Sequence, residues 1–175
     1  KKLEVAGVQM IQVAQANHTG NMADTIPPMG TQADNWTLPT CIKVKAAVSI
    51  PVATVGRVLT VANGEEILAN GDADIIAYGR SLCCDPDIAN KVATDEPIRE
   101  CLNCNKGCVD AISSRRYISC VLNAENGDEA TISIKPADAK KNVVIVGAGI
   151  AGLEAARVAA IRGHHVDVYE KEEAK

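Results

Sequence analysis

Short unbroken apolar runs alternate along this chain with stretches of helical spacing, and most are closed by glycine or proline. Lys1 to Ala6 has the pattern of the tail of an amphipathic helix, with Gly7 as its C-terminal stop. Val8 to Ala14 then reads as a buried strand. From Pro39 to Val48, Ile42 and Ala46 recur at helical spacing with Val44 and Ala47 at their flanks, and Ser49-Ile50-Pro51 ends that helix ahead of a strand over Val52 to Val55. A second unit of the same kind follows: a helix from Val61 to Asn70, a stop at Gly71, and a strand over Ala73 to Tyr78. Asp85-Pro86-Asp87 caps a short helix through Val92. Near the end, Val143 to Val146 is a continuous apolar strand, followed by a helix to Arg162 and a strand over Val166 to Glu170. Helices alternating with short apolar strands predict an α/β chain with parallel sheets.

Two stretches break this rhythm. Between Gln15 and Leu38 the pattern dissolves into NHTGNMADTIPPMGTQADNW, and a loop that long in a compact domain is more often functional than mere linker. His18 lies in it, a weak candidate proton donor whose plainer reading is a solvated side chain. The other is VLNAENGDEATISIKPADAKK, residues 121–141, polar and turn-rich, with the character of an interdomain connection.

Composition narrows the class. The net charge of -4 is scattered and leaves no basic face for nucleic acid, and one Trp, three Tyr and no Phe give no stacking platform for single strands. No apolar run has the length of a membrane span, so a soluble, cytoplasmic protein is expected. The opening KKLEVAG lacks a methionine and the close EKEEAK follows directly on a strand, which together predict a piece of a longer protein.

Four of the seven cysteines fall in Arg99 to Cys120: Cys101-x2-Cys104-x3-Cys108, then Cys120 after eleven intervening residues. One tight loop thus offers three thiolates and a returning segment the fourth, a donor set for a metal centre. Tetrahedral zinc and a cubane iron–sulfur cluster both take four thiolates. Structural zinc prefers two separated Cys-x2-Cys knuckles, whereas here three ligands crowd together with Gly107 relaxing the backbone and Leu102, Val109 and Ile112 available as an apolar shield, which favours the cluster. Disulfides are disfavoured in a chain without secretory character. Cys83 and Cys84 have no partner at ligand spacing and read as core residues.

Two successive strands end in the same dipeptide, Gly56-Arg57 and Gly79-Arg80. In a parallel barrel all strand C-termini lie on one face, so both glycines would expose backbone there beside two guanidinium forks, which describes a phosphate clamp. A surface pairing of each Arg with an Asp is the alternative. The last unit carries Gly147-Ala-Gly149-Ile-Ala-Gly152 between a strand and a helix, with Glu170 closing the next strand: the dinucleotide fingerprint in its full context. A carboxylate at Glu170 accepts from ribose hydroxyls and repels a 2′-phosphate, so FAD or NAD fits this site and NADP does not. His164 and His165, in the turn before that strand, are expected to face solvent.

With these residues in hand, the chain resembles the iron–sulfur branch of the old yellow enzyme family, the group of 2,4-dienoyl-CoA reductase, 2-enoate reductase and trimethylamine dehydrogenase. The matching signatures run in order over residues 50–171: IPVATVGR, GDADIIAYGR, CDPD, IREC-LNCNKGC, ISC-VLN and VVIVGAGIAGLEAARVAAIRGHHVDVYEK. The resemblance implies the C-terminal part of a TIM (β/α)8 barrel holding FMN over residues 1–97, a [4Fe-4S] segment over 98–123, a connection over 124–141, and over 142–175 the start of a Rossmann-like FAD/NAD(P)-binding domain. By position it implies FMN phosphate contacts at Arg57, Gly79 and Arg80 with backbone from Gly56 and Tyr78, cluster ligands at Cys101, Cys104, Cys108 and Cys120, and FAD, or ADP as in trimethylamine dehydrogenase, at Gly147, Gly149, Gly152 and Glu170. It assigns no catalytic residue here, because the family places its proton-donating tyrosine on earlier barrel strands. Electrons would pass from NAD(P)H to FAD, singly through the cluster to FMN, and as hydride to an activated C=C bond of an enoyl-CoA, enoate or steroid-like enone. Alternatives are amine dehydrogenation of the trimethylamine dehydrogenase type and a non-catalytic, zinc-stabilised scaffold. Small-molecule substrate and NAD(P)H are the expected partners, with no nucleic acid and no membrane, and homo-oligomerisation is left open.

Two expectations follow from this placement. The loop from Gln15 to Leu38 leaves a strand at the phosphate-binding face, and its stiff, apolar Ile26-Pro27-Pro28-Met29 suits a greasy acceptor; exchanging it with a relative's loop should change the preferred acceptor in turnover assays while NADH still reduces the flavin. A barrel closes only with all of its strands, so the chain expressed alone should be poorly soluble or partly folded, and dispersed amide spectra with a cooperative melt would refute that.

Overall fold

The structure is a computed structural model that describes residues 1–14 and 32–173; most of the long loop, with His18, Asp24 and the Ile26 to Met29 core, lies outside the described residues. The chain divides into two compact units, Lys1–Gly127 and Asp128–Lys175.

The first unit opens with α1 (Lys2–Val5) and β1 (Ile11–Val13), followed by α2 (Leu38–Lys45), β2 (Val52–Val55), α3 (Val61–Ala69) and β3 (Ile75–Ala77). β2 pairs in parallel with β1 on one side and β3 on the other, Thr54 lying opposite Val13 and Ile76. α2 packs on β1 and β2, and α3 on β3. Val13, Cys41, Val52, Val58, Ile67 and Ala73 form the core under these helices, with Val52 and Cys41 fully buried. As the middle strand, β2 is buried along most of its length and reads as a continuous apolar run.

Hydrogen bonds at the strand entries explain why β1 and β3 are shorter than their apolar runs. The N–H of Val8 donates to Leu3 O and closes α1, so it is unavailable to a ladder, and pairing starts only at Ile11. At the other edge, the N–H of Asp72 donates to Ile67 O and closes α3. Asp74 then clasps the middle strand, its N–H donating to Val52 O at 2.8 Å while its Oδ2 accepts from Val52 N at 2.7 Å and its Oδ1 from Lys45 Nζ at 2.7 Å. The Thr60 side chain caps α3 by accepting from Asn63 N at 3.1 Å.

After β3 come α4 (Arg80–Cys84), α5 (Ile88–Thr94) and α6 (Val109–Ser113). α4, an element not among those expected from the sequence, buries Cys84 completely while Cys83 stays half-buried. Asp85, just past α4, fastens the cysteine segment to it. Its side chain is 3% exposed and accepts from Lys91 Nζ at 2.6 Å, Arg99 N at 2.9 Å and Asp87 N at 3.3 Å. Arg99 adds a second tie, Nη1 to Cys84 O at 3.1 Å.

The second unit comprises α7 (Glu129–Ile132), a single turn within the connection, then β4 (Asn142–Val146), α8 (Ile150–Ile161) and β5 (His165–Tyr169). β4 and β5 pair in parallel with Val144 opposite Asp167, and α8 packs on both, a βαβ unit. His164 is half-buried, not solvent-facing as expected: its Nδ1 accepts from Lys141 N at 3.1 Å at the entry to β4. Among the described residues no helix is long and apolar enough to cross a membrane.

Burial alone would raise the Asp85 pKa, yet the Arg99 N–H and the Lys91 ammonium outweigh it and hold the carboxyl below its ordinary value. A depressed folded-state pKa contributes stability above the ordinary carboxylate value, about 4, and this contribution is lost as pH falls through the folded value. Asp85→Asn sets an amide donor against donors and should cost the complete protein about 2 kcal/mol near neutral pH. Denaturant unfolding from pH 7 to 3 checks this: the gap between wild type and variant should narrow at the acid end.

Candidate functional site

Parallel pairing brings the C-terminal ends of β1, β2 and β3 to one edge of the sheet, and a cavity of about 170 Å³ opens there. Ala14 beyond β1, Gly56 and Arg57 beyond β2, and Tyr78, Gly79 and Arg80 beyond β3 all line it, together with Trp36 and Thr37 at the start of α2. The residues singled out as a phosphate clamp therefore share one cavity. Their turns are not equivalent. Gly56 (φ 124°) and Arg57 (φ 56°) both take positive φ, whereas Gly79 precedes α4 and Arg80 is its first residue. The turn at Gly56 has a steric reason as well as a conformational one, since a Cβ there would lie 3.1 Å from Thr37 Oγ1. Thr37 is itself fixed, its hydroxyl donating to Val55 O and lying 3.4 Å from Thr54 Oγ1.

The two guanidinium groups have different partners. Arg57, 8% exposed, pairs at 2.5 Å with Asp34, which is 60% exposed. That is the alternative pairing weighed for these arginines, and it holds for one of the two. Arg80 instead donates from Nη1 to Asn105 Oδ1 at 2.6 Å. Its pKa lies below the ordinary arginine value, first because of burial; the nearby Arg57 also lowers it, while Cys101, Cys108 and Cys104 act the other way. Trp36 adds a buried indole N–H without a hydrogen-bond partner among the described residues. Two close cations and an orphaned donor at the edge of one cavity suit an anion with oxygen acceptors.

Cys101, Cys104, Cys108 and Cys120 line a second cleft, also bounded by Arg80, Cys83, Val121 and Leu122. All are free thiols. They stand around the cleft rather than converging on a point, since among the described residues no three His, Cys, Asp or Glu are close enough to hold one metal ion.

The loop gets its shape from residues the cysteine spacing did not single out. Asn103 (φ 53°) and Asn105 (φ 59°) adopt the left-handed conformation that Asn tolerates, and the N–H of Asn103 points at Cys101 Sγ from 3.4 Å. Asn alternating with Cys in CLNCN was the readable signal for this. Gly107 matters for space more than for backbone freedom: a Cβ there would sit 2.5 Å from Ser119 O, on the segment that returns Cys120 to the cleft. Asn123 Nδ2 ties that segment to Cys83 O at 3.1 Å.

The expected apolar shield differs in part. Leu102 lines the cleft as expected, though 64% exposed, whereas Val109 and Ile112 do not, and Val121 and Leu122 stand there in their place. Cys83, read from sequence as core, also lines it, while Cys84 is core as expected; burial first, and Cys120 nearby, push the Cys84 thiol up to about 12, so it stays protonated.

In the second unit the glycine turn and Glu170 do come together. Gly147 takes φ 102°, its N–H donates to Tyr169 O at 2.7 Å, and Gly152 leaves room for Gly147 O where any Cβ would collide. Glu170 accepts from Ala148 N inside the turn at 2.8 Å and from Lys171 N at 2.7 Å.

Comparison with known proteins places the chain in a family. Residues 2–98 match the NADH:flavin oxidoreductase / NADH oxidase family, and residues 122–175 match the alanine dehydrogenase/PNT C-terminal domain. A bilirubin reductase of Mediterraneibacter gnavus is 55% identical over 98% of the chain, and a cinnamate reductase of Clostridium sporogenes 40% identical over 83%. The solved structure of a 2-naphthoyl-CoA reductase superposes with a TM-score of 0.80 at 31% identity over 86% of the chain. The chain spans 27%, 22% and 24% of the lengths of these three proteins. The parallel strands that build the first cavity are thus part of a shared fold, and the chain belongs to the NADH:flavin oxidoreductase / NADH oxidase family.

Proposed function

We propose that this chain holds the FMN phosphate and a [4Fe-4S] cluster in an NAD(P)H-dependent flavin oxidoreductase that reduces an activated C=C bond. The carrying observation is that the strand-end cavity, with its two arginines, adjoins through Arg80 a cleft lined by four thiols. When bound, FMN supplies hydride chemistry and the cluster passes single electrons.

Each residue then has a physical task. Arg57 and Arg80 are like charges in one cavity, and a phosphate between them relieves their repulsion. Only one of the five N–H donors of Arg80 is committed among the described residues, so a fork remains for phosphate oxygens. Arg57 is more buried than Asp34, so the carboxylate can turn to water while the guanidinium stays to bind. The left-handed turn at Gly56 and Arg57 and the turn at Tyr78 and Gly79 bring backbone to the same edge. Cys101, Cys104, Cys108 and Cys120 ligate the cluster, with the Asn103 N–H donating to the Cys101 sulfur. Gly147, Gly149, Gly152 and Glu170 take FAD or ADP, the braced Glu170 carboxylate offering a remaining lone pair to the ribose.

The acceptor carries a conjugated double bond. Cinnamate, named for one relative, joins its C=C to a carboxylate, and bilirubin, named for the nearer one, is a conjugated molecule with carboxylates. The apolar, stiff sequence Ile26-Pro27-Pro28-Met29 of the loop that follows β1 suits a greasy acceptor better than a small amine.

Purified without oxygen, the complete protein should contain iron and FMN, show the broad visible absorption of an iron–sulfur centre, bleach with NADH and re-oxidise with cinnamate or bilirubin. Zinc in place of iron, without that absorption, would sink the reading. Bleaching by an amine but not by NADH would replace it with amine dehydrogenation. Arg57→Ala should weaken FMN retention by about 10-fold to 100-fold, the worth of a charge-assisted phosphate contact, as measured by flavin released on dilution. Cys108→Ala should remove the cluster and leave FMN binding nearly unchanged.

A further inference from the structure

Arg80 lines both cavities, and nothing in the family match assigns it to the second. Its anchor there is well held. Asn105 lies between Cys104 and Cys108 and is 8% exposed; its backbone carbonyl accepts from Asp110 N at 3.0 Å in the first turn of α6, which fixes its main chain, and burial confines the side-chain Oδ1 that receives the guanidinium at 2.6 Å. Asn105 can therefore fix where the Arg80 charge sits relative to the loop.

The two arginines also differ in how far their charge is spent. Asp34 offsets Arg57, whereas no carboxylate pairs with Arg80 among the described residues. The titratable groups that act on Arg80 are instead Cys101, Cys108, Cys104 and Arg57. An uncompensated cation in a partly buried site acts strongly on charge that appears beside it. We propose that Arg80 is a positioning residue shared by the two sites: held by Asn105, its guanidinium is the fixed positive charge that raises the reduction potential of a cluster in the cysteine cleft. This rests on the proposed cluster. On reduction one electron enters the cluster, no bond forms or breaks, and Arg80 keeps its proton. The added negative charge is stabilised by the guanidinium, so the reduced form is favoured. A phosphate in the neighbouring cavity draws on the same guanidinium, which couples occupancy of one site to the potential of the other.

The test is an EPR-monitored redox titration of the complete protein with excess FMN, comparing wild type with Arg80→Gln, Arg80→Lys and Asn105→Ala. Iron content and the shape of the cluster signal serve as controls. At a fixed poise, Arg80→Gln should lower the ratio of reduced to oxidised cluster about tenfold, ~59 mV for one electron. Arg80→Lys, which keeps the charge, should recover most of that loss, and Asn105→Ala should move the potential a smaller step in the same direction. An Arg80→Gln potential equal to wild type, or an Arg80→Lys potential as low as that of Arg80→Gln, overturns the proposal. Where Arg80→Gln does not hold iron, the other two variants decide: Arg80→Lys must keep the wild-type potential with Asn105→Ala below it, and the reverse order overturns the proposal. Wild-type protein without iron would instead remove the proposed function itself, a result the metal analysis distinguishes from an unchanged potential.

Discussion

Parallel pairing of β2 with both neighbours decides where everything else in the first unit can be. Because β1, β2 and β3 run the same way, their C-terminal ends must emerge at one edge, and the chain has to cross back by way of α2 and α3 between them. The crossover helices bury Cys41 and Ile67 against the sheet, so the sheet cannot slip without exposing that core. Asp74 pins the N-terminal entry to the middle strand, fixing register at the end opposite the cavity. What remains variable includes the turns after β2 and β3, and that is where Gly-Arg occurs twice. Functional residues on loops held by a rigid scaffold are the ordinary division of labour in such sheets.

The cysteine segment has little regular structure of its own and is held by polar ties to the strand-end region. Asp85 receives the Arg99 N–H, Arg99 reaches Cys84 O, Asn123 reaches Cys83 O, and Asn105 receives Arg80. Asp85, Asn105 and Asn123 are all buried, and burial makes their hydrogen bonds expensive to lose. α4 is the common anchor: Arg80 opens it, Cys83 and Cys84 close it, and Asp85 follows. The ties of the cysteine segment thus converge on and just after a five-residue helix at the end of β3.

What could be read from the residues alone was whatever rests on local period and punctuation. Val52 to Val55 between Pro51 and Gly56, or Val61 to Ala69 between a Thr cap and Gly71, carry their own start and stop signals. α4 escaped because it is short, begins directly at the Gly-Arg pair and has no side-chain cap. The contact between Arg80 and Asn105 spans 25 positions and leaves no periodic trace, and only the alternation of Asn with Cys hinted that those amides had work to do. The inequality of the two Gly-Arg turns was also invisible, since the same dipeptide takes a left-handed turn after β2 and opens a helix after β3. Ile112 was misplaced for a simpler reason: in a helix as short as α6, neighbours along the chain say little about which side faces the cleft.

Glu170 shows how one carboxylate can serve both the fold and the proposed nucleotide. Its pKa is lowered first by the Ala148 N–H, then by those of Glu172 and Lys171, so it is ionised at any pH near neutral. The Ala148 donor belongs to the same glycine turn that would approach a pyrophosphate, and by accepting from it Glu170 braces the turn from the end of β5. A ribose bound here would meet a carboxylate whose orientation is already set by three backbone donors, rather than a side chain still to be ordered. On the proposed reading the same charge would also stand against a 2′-phosphate, so the carboxylate that braces the turn would select against the phosphorylated dinucleotide.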